Sequence, residues 1–450
     1  MRLLNLMIIC VVLAMAHPKT TLANTADSGN YLSLAKAERL ALRNDPKVAA
    51  ALARARSFSE QGIADGQLSD PMLKFGLFNL PIDDFDLRKN PTTQLRLGVV
   101  QKFPRGDTRA LKTLRAEWLS NAENAAAENT ARNLLKTIRE LWLEAWYQQQ
   151  AQGVIDKNRT LFQQLTDITE GQYAAGRANQ QDVLRADLEL ARLDDRLLKA
   201  RKAEAAARSM LLRWVGDSAR LPLPAEQPQI PAPADLDMLK PGLPEHPAIT
   251  VKSAQLEAQE RLVDIAREQY SPGWSLGGEY RQRFGDNPDG TSRESMIALM
   301  ATIDLPMFTA RRQDKQLAAA REKADAIWFT RQDALQQLQS ELYWRLADEE
   351  ELNNRLALYQ NQLLKSAEAN SEASLQAYQS GTTEFTALMR ASITELDIQL
   401  QSLRVLVDLQ KNHARLQWLA IDNNSYSSEN QRQSERTAER QQAHSVEEGE

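Results

Sequence analysis

The feature that most constrains this chain is that it is written twice. The segments YAAGRANQQDVLRA (Tyr173 to Ala186) and YQSGTTEFTALMRA (Tyr378 to Ala391) share a Tyr-x-x-Gly turn followed by a run ending in Arg-Ala. Asp45-Pro46 recurs as His246-Pro247 and Pro71 as Pro272, each 201 residues on. Phe103-Pro104 recurs as Leu305-Pro306 after 202 residues and Gly176 as Gly381 after 205. Four markers in one order, with a drift of only four residues, define an internal duplication with halves of roughly 30–221 and 245–420. A length of 450 residues would ordinarily suggest two or three unlike domains; the repeat argues for one unit used twice.

Proline and glycine then mark where the chain turns and where it does not. The stretch Leu221 to Pro244 holds seven of the 17 prolines and reads as an extended connector over 222–244. No proline occurs from Arg105 to Leu221, and neither proline nor glycine from Met307 to Ser380. Helices over about Asp107–Gly171 and Thr309–Tyr378 would each be about 100 Å long at roughly 1.5 Å per residue, far beyond the usual globular helix of about 12 residues. In the first, Leu134, Ile138, Leu141 and Ala145 form one seam, and Leu135, Trp142 and Trp146 a second beside it, so the helix should be packed on both flanks. Shorter helices are expected from about Asn179 to Trp214 and Thr382 to Ile421. Each Tyr-x-x-Gly stretch is then the turn of a helical hairpin, over about 107–214 and 309–421. Gly176 and Gly381 supply permissive backbone there, either at a turn with a functional role or simply as helix C-caps.

Ahead of each long helix lie two segments of period 2. Leu73, Phe75 and Leu77 alternate with Lys74 and Gly76, and Leu95, Leu97, Val99 and Phe103 with Gln94, Arg96, Gly98 and Lys102. In the second half Trp274, Leu276, Gly278 and Tyr280 oppose Ser275, Gly277, Glu279 and Arg281, and Ile297, Leu299, Ala301 and Ile303 oppose Met296, Ala298, Met300 and Thr302. The predicted strands, about 72–80, 92–103, 274–284 and 295–305, have the length and alternation of membrane β-strands. Half-buried hairpins of a soluble protein would share the pattern, but their apolar, aromatic faces would need a covering layer that the sequence does not obviously provide. Four strands cannot close a barrel, for which about 8 are the minimum in one chain. Three copies would supply twelve strands and, with four helical columns each, a twelve-column tube.

The ends and the composition fix the compartment and exclude other classes. Arg2, the apolar run Leu3–Ala16 and Thr21-Leu22-Ala23 read as a signal peptide over 1–23. Its run is too short to span a bilayer, and no later segment is long and apolar enough, so membrane insertion would be through β-strands. The sole Cys10 stands in mid-run, against lipidation. Removing 1–23 leaves 53 basic and 60 acidic residues, a net charge of −7, which is not the balance of a nucleic-acid binder. The remaining His246, His413 and His444 are far apart, and no Cys/His metal cluster is expected. The acids of ADEEEL and DIAREQ are spaced as solvated helix faces, and no nucleophile elbow, phosphate loop or His-bearing metal motif occurs; no enzyme activity and no cofactor are expected. The polar stretch 422–450 is expected to be a disordered tail.

The duplicated order of helix, two strands, long helix, turn and helix, the NDP and EHP starts, FP and LP at the strand ends, and the paired Tyr-x-x-Gly turns resemble the TolC family of outer-membrane efflux proteins. The resemblance covers about residues 31–421, as repeats over 31–221 and 245–421. The segments DPMLKFGLFNLPIDDFDL and QKFPRGD further resemble the branch that serves heavy-metal efflux pumps. The resemblance implies a mainly α homotrimer with a small β part. Its twelve-stranded barrel would sit in outer-membrane lipid, continued by a periplasmic α-helical barrel whose tip meets a periplasmic adaptor and an inner-membrane RND-type pump.

It also implies a gate and adaptor-docking site at the hairpin turns: Tyr173, Gly176, Asp182, Tyr378, Gly381 and Thr383. In the family's closed state a Tyr beside the second Gly bonds an Asp six residues after the first, here Tyr378 and Asp182. Thr383 stands where the family has an arginine that strengthens this latch. Pore carboxylates of the family are replaced by Ala387 and Arg390, with Arg185 equivalent in the first half. Two readings of Arg185 and Arg390 stand: a basic constriction facing the lumen, or surface charges paired with neighbours such as Asp187 and Glu384. The rival to the whole assignment is a periplasmic adaptor or other coiled-coil scaffold, which would carry one hairpin rather than two and would be stable without detergent.

Overall fold

The computed structural model describes residues 31–233 and 239–420; the expected signal peptide and polar tail lie outside them. Both halves begin with a capped helix. In the first, α1 (Leu34–Asn44) is capped by Ser33, whose Oγ accepts from the Lys36 N–H at 3.2 Å, and α2 (Pro46–Asp65) by Asp45, which accepts from Lys47 and Val48 N–H at 2.8 and 3.1 Å. Pro46 then occupies the first helical turn, where its missing N–H costs nothing. Strands β1 (Met72–Phe78) and β2 (Gln94–Phe103) follow. The 67-residue helix α3 (Thr108–Ala174) turns into α4 (Gln180–Val215), which ends in a 3-10 turn, Gly216–Arg220.

The connector is extended through 221–233 and ends in the short α5 (Leu239–Gly242) and a 3-10 turn, Leu243–Glu245. The second half repeats the order with α6 (Pro247–Glu268), β3 (Gly273–Arg283), β4 (Met296–Asp304) and α7 (Gln313–Leu358). Here the chain departs from the single helix expected from a run without proline or glycine. A π-helical turn, Tyr359–Leu363, separates α7 from α8 (Leu364–Gln379), and α9 (Phe385–Leu419) closes the hairpin. Lack of breakers permits an unbroken helix but does not prevent one extra residue in a turn, and π turns of this kind are frequent at functional places.

The four strands form one antiparallel sheet in the order β1-β2-β3-β4, with β1 and β4 as its edges. Its register aligns Leu73, Val99, Gly278 and Leu299 in one row and Phe75, Leu97, Tyr280 and Ile297 in the next. These residues form one apolar face, and its large side chains are exposed: Phe75 by 80%, Ile297 by 79% and Leu299 by 85%. The opposite face carries Lys74, Arg96, Lys102, Glu279 and Arg281. The loop joining β1 to β2 exposes two apolar side chains, Ile82 and Phe85. Arg293 ties the two loops together by donating to the carbonyls of Arg88 and Asn90 at 3.0 and 3.2 Å.

Below the sheet α3 is the central column. Its half nearest the sheet packs between α2 and α6, and the half toward its turn packs with α4 and α9. Ile138, Trp142, Leu143, Ala145 and Trp146 are buried in the largest core cluster, with Ala207, Leu211 and Val407 from α4 and α9. The indole N–H groups of Trp142 and Trp146 donate to the Leu32 and Pro224 carbonyls at 2.9 and 3.0 Å, strapping the N-terminal segment and the connector onto the column. Among the described residues no helix is long and apolar enough to cross a membrane.

Candidate functional site at the hairpin tips

Each hairpin tip is built by the same backbone device. At the first, Gly176 N–H bonds the Tyr173 carbonyl at 2.9 Å and Arg177 N–H the Gln172 carbonyl at 2.8 Å. At the second, Gly381 N–H bonds the Tyr378 carbonyl at 3.0 Å and Thr382 N–H the Ala377 carbonyl at 2.9 Å. This paired pattern is the Schellman end of a helix, which needs a left-handed residue after the cap. Gly176 and Gly381 supply it at φ 72° and 73°. Nothing lies within 4 Å of where a Cβ would stand on either, so glycine is needed there for its backbone and not for space.

The two tyrosines occupy equivalent places in those turns and meet different fates. Tyr173 is 47% exposed and Tyr378 only 8%. The Tyr378 ring packs at 5.6 Å and 59° against Phe385, within a buried cluster that also holds Phe162, Leu165, Leu388 and Met389. Its hydroxyl donates to Gln172 Oε1 at 2.9 Å, so the second hairpin is bonded to the last turn of the first. The expected pairing of Tyr378 with Asp182 is therefore not the one made here. The physical reason is which helices are neighbours: α9 packs extensively on α3 and little on α4, so the tyrosine beside it reaches Gln172 on α3 rather than Asp182 on α4. Asp182 lies half-buried in the first turn of α4, where its negative charge suits the helix N-terminus.

Thr383 is half-buried just before α9, and its neighbours Ser380 and Thr382 both bond the Ala377 carbonyl, at 3.0 Å each. Arg185 is half-buried and Arg390 exposed, and neither has an ion pair among the described residues, so the suggested pairings with Asp187 and Glu384 are not made. The ion pairs that do join the hairpins lie higher, as in Arg196 to Asp397 at 2.6 Å. Higher still, Glu144 of α3 accepts from Arg404 and Lys411 of α9 at 2.8 and 2.6 Å. Burial alone would raise that carboxyl, but the hydrogen bonds from Arg404, Lys411 and Gln148 hold it well below the usual carboxylate range.

Sequence reasoning missed Gln172 and Phe385. Phe385 could have been found, because it occupies the place held by Gln180 in the first half, a difference visible on laying one repeat over the other. Gln172 carried no signal, since its equivalent is Ala377. Among the described residues no group of three His, Cys, Asp or Glu side chains could hold a metal ion.

No protein-family model matches the sequence, and no curated relative is found by sequence comparison. Solved structures do match. The outer-membrane channel OprN superposes with a TM-score of 0.73 at 18% identity, over 86% of this chain and 89% of that one. CusC, described in terms of transmembrane channel formation, gives 0.71 at 17% over 86% and 92%. The outer membrane protein VceC of Vibrio cholerae gives 0.70 at 20% over 86% and 94%. The chain thus has the fold of these channels, mostly helical with a small antiparallel sheet.

Proposed function

We propose that this chain is the exit duct of a tripartite efflux pump, a passive channel lodged in the outer membrane. The observation that carries this reading is the sheet: four strands with an exposed, uncharged apolar face and two unpaired edges, set on the ends of 67-residue helical columns. An exposed face of that size is unstable in water but is what lipid requires. Unpaired edges are stable only when another chain completes them. Three copies pairing β4 of one with β1 of the next make a closed barrel of twelve strands. Their columns continue it as a helical tube across the periplasm.

In this reading the six hairpin tips form the periplasmic mouth. A periplasmic adaptor docks on them, and an RND-type inner-membrane pump supplies the work. Tyr173, Gly176, Asp182, Tyr378, Gly381 and Thr383 are the gate and docking residues, and Arg185 and Arg390 line the constriction. Opening is a shift in population toward whichever tip conformation the adaptor binds more tightly. The bond from Tyr378 to Gln172 is what resists it. No catalytic step is assigned to the chain. An adaptor of the same pump would need neither two hairpins nor an apolar sheet face.

Single-channel recording of the detergent-purified protein in planar bilayers tests this. Long-lived channels of trimeric protein, with a larger or more frequently open level in Tyr378→Phe, are expected. A protein that stays soluble without detergent and forms no channel would overturn the duct.

A further inference from the structure

The polar face of the sheet is strongly one-signed. Lys74, Arg96, Lys102, Arg281 and Arg283 fall on it by register, against the two carboxylates Glu279 and Asp304. The excess is three positive charges per chain, and nine in an assembly of three, whereas the apolar face carries no charge at all. This is the reverse of the chain as a whole, which is net acidic.

The arrangement is built rather than scattered. Arg96 and Arg281 are direct cross-strand partners, a placement of like charges that weakens a sheet. Glu279 stands between them, 2.6 Å from Arg281 and 3.5 Å from Arg96, and is itself only 12% exposed. Arg96 also lies over the Phe78 ring at 4.1 Å, and its buried Nε has no hydrogen-bond partner. One carboxylate thus holds two guanidinium groups and leaves a positive surplus at that level. Gly76 lies against the Phe78 ring and Gly98 against the Glu279 side chain, so the two glycines leave room for the groups that hold the guanidinium pair in place. Exposed Lys74 and Lys102 extend the positive strip along the strands without an ion pair among the described residues.

We propose that the barrel lumen selects for anions, with the Arg96, Glu279 and Arg281 triad and its flanking lysines as the determinant, so that cargo leaves as an anion or an anionic complex rather than as a free cation. This rests on the duct reading, which puts the polar face inside. Charges lining a pore with low-dielectric walls enrich counter-ions and exclude co-ions. Screening limits the effect: the Debye length is about 10 Å at 0.1 M salt and about 3 Å at 1 M.

The test is the reversal potential of single channels in a KCl gradient. Wild-type channels should pass chloride over potassium by at least about threefold near 0.1 M, with the preference fading toward unity near 1 M. Lys74→Gln with Lys102→Gln, both exposed and without ion pairs among the described residues, should lower the ratio without disturbing folding. Arg96→Gln with Arg281→Gln should lower it further, and Glu279→Gln should raise it. A potassium preference in the wild type would overturn the inference and leave the duct intact. So would a ratio that the barrel variants leave unchanged, or one that only Arg390→Gln at the tip can move. The absence of any channel would instead overturn the duct itself.

Discussion

The two hairpin tips share one backbone and differ in one aromatic partner. Both glycines take the same left-handed turn, and both tyrosines sit two residues before the cap. Only the second tyrosine has Phe385 to pack on, where the first half offers Gln180. Tyr378 is accordingly folded into the core and bonded to Gln172, while Tyr173 stays in solvent. The duplication thus preserved a turn and changed its neighbour, and the neighbour decides whether the tip is tied.

The same lesson recurs at the starts of the halves. Asp45 caps α2 with a carboxylate that also accepts from Trp214 Nε1–H at 3.1 Å. Its counterpart His246 caps α6 with Nδ1, which accepts from Ala248 N–H at 3.2 Å, while Nε2–H donates to the Trp418 carbonyl at 3.0 Å. That arrangement needs the neutral ring. Burial, with Arg132 and Lys136 nearby and despite the Trp418 carbonyl, pushes the imidazole down to about 4.

Breaking the difference between the tips should have the largest effect. Phe385→Ala removes a fully buried ring and should cost about 3–5 kcal/mol, whereas Gln180→Ala should cost almost nothing. Amide exchange across Leu375–Met389 would rise in the first variant, and an unchanged exchange rate would show that the ring does not hold the tip.

Next comes the pair of caps. Between pH of about 6.5 and 4 the unfolded imidazole binds a proton that the folded one refuses. Stability from His246 is therefore complete above about 6.5 and falls by about 3 kcal/mol as pH drops through that window. Urea midpoints measured across it should fall in the wild type. They should flatten in His246→Asp, which copies the first half; a parallel decline in both would remove His246 as the cause.

Substituting alanine for Gly176 or Gly381 should sharpen the likeness. Each should cost about 1–2 kcal/mol for the left-handed backbone, equally at the two tips because both are open. A markedly larger cost at one, by denaturant unfolding, would mean that space matters there. The smallest effect is expected from losing one hydroxyl. Tyr378→Phe should cost about 1 kcal/mol for its bond to Gln172 and Tyr173→Phe nothing, so a double-mutant cycle with Gln172→Ala should show coupling only for Tyr378.

Much of this was legible because the signals are periodic or local. Alternation of Leu73, Phe75 and Leu77 with Lys74 and Gly76 states which side chains share a face whatever the sheet packs against, since strand side chains alternate by geometry. Leu134, Ile138, Trp142 and Trp146 announce a helix packed on two sides for the same kind of reason. The glycines at 176 and 381 mark their turns because few other residues tolerate that backbone. The π turn at Tyr359–Leu363 and the choice of Gln172 over Asp182 were not legible. The first leaves no mark in a run that lacks both proline and glycine, and the second depends on whether α9 lies nearer α3 or α4. The charge on one face of the sheet stands between these cases: each cation was visible in the sequence, but only strand order and register set Arg96 beside Arg281 with Glu279 between them. Periodicity and backbone chemistry are properties of the chain alone, whereas helix adjacency and cross-strand pairing arise only when segments remote in sequence are brought into contact.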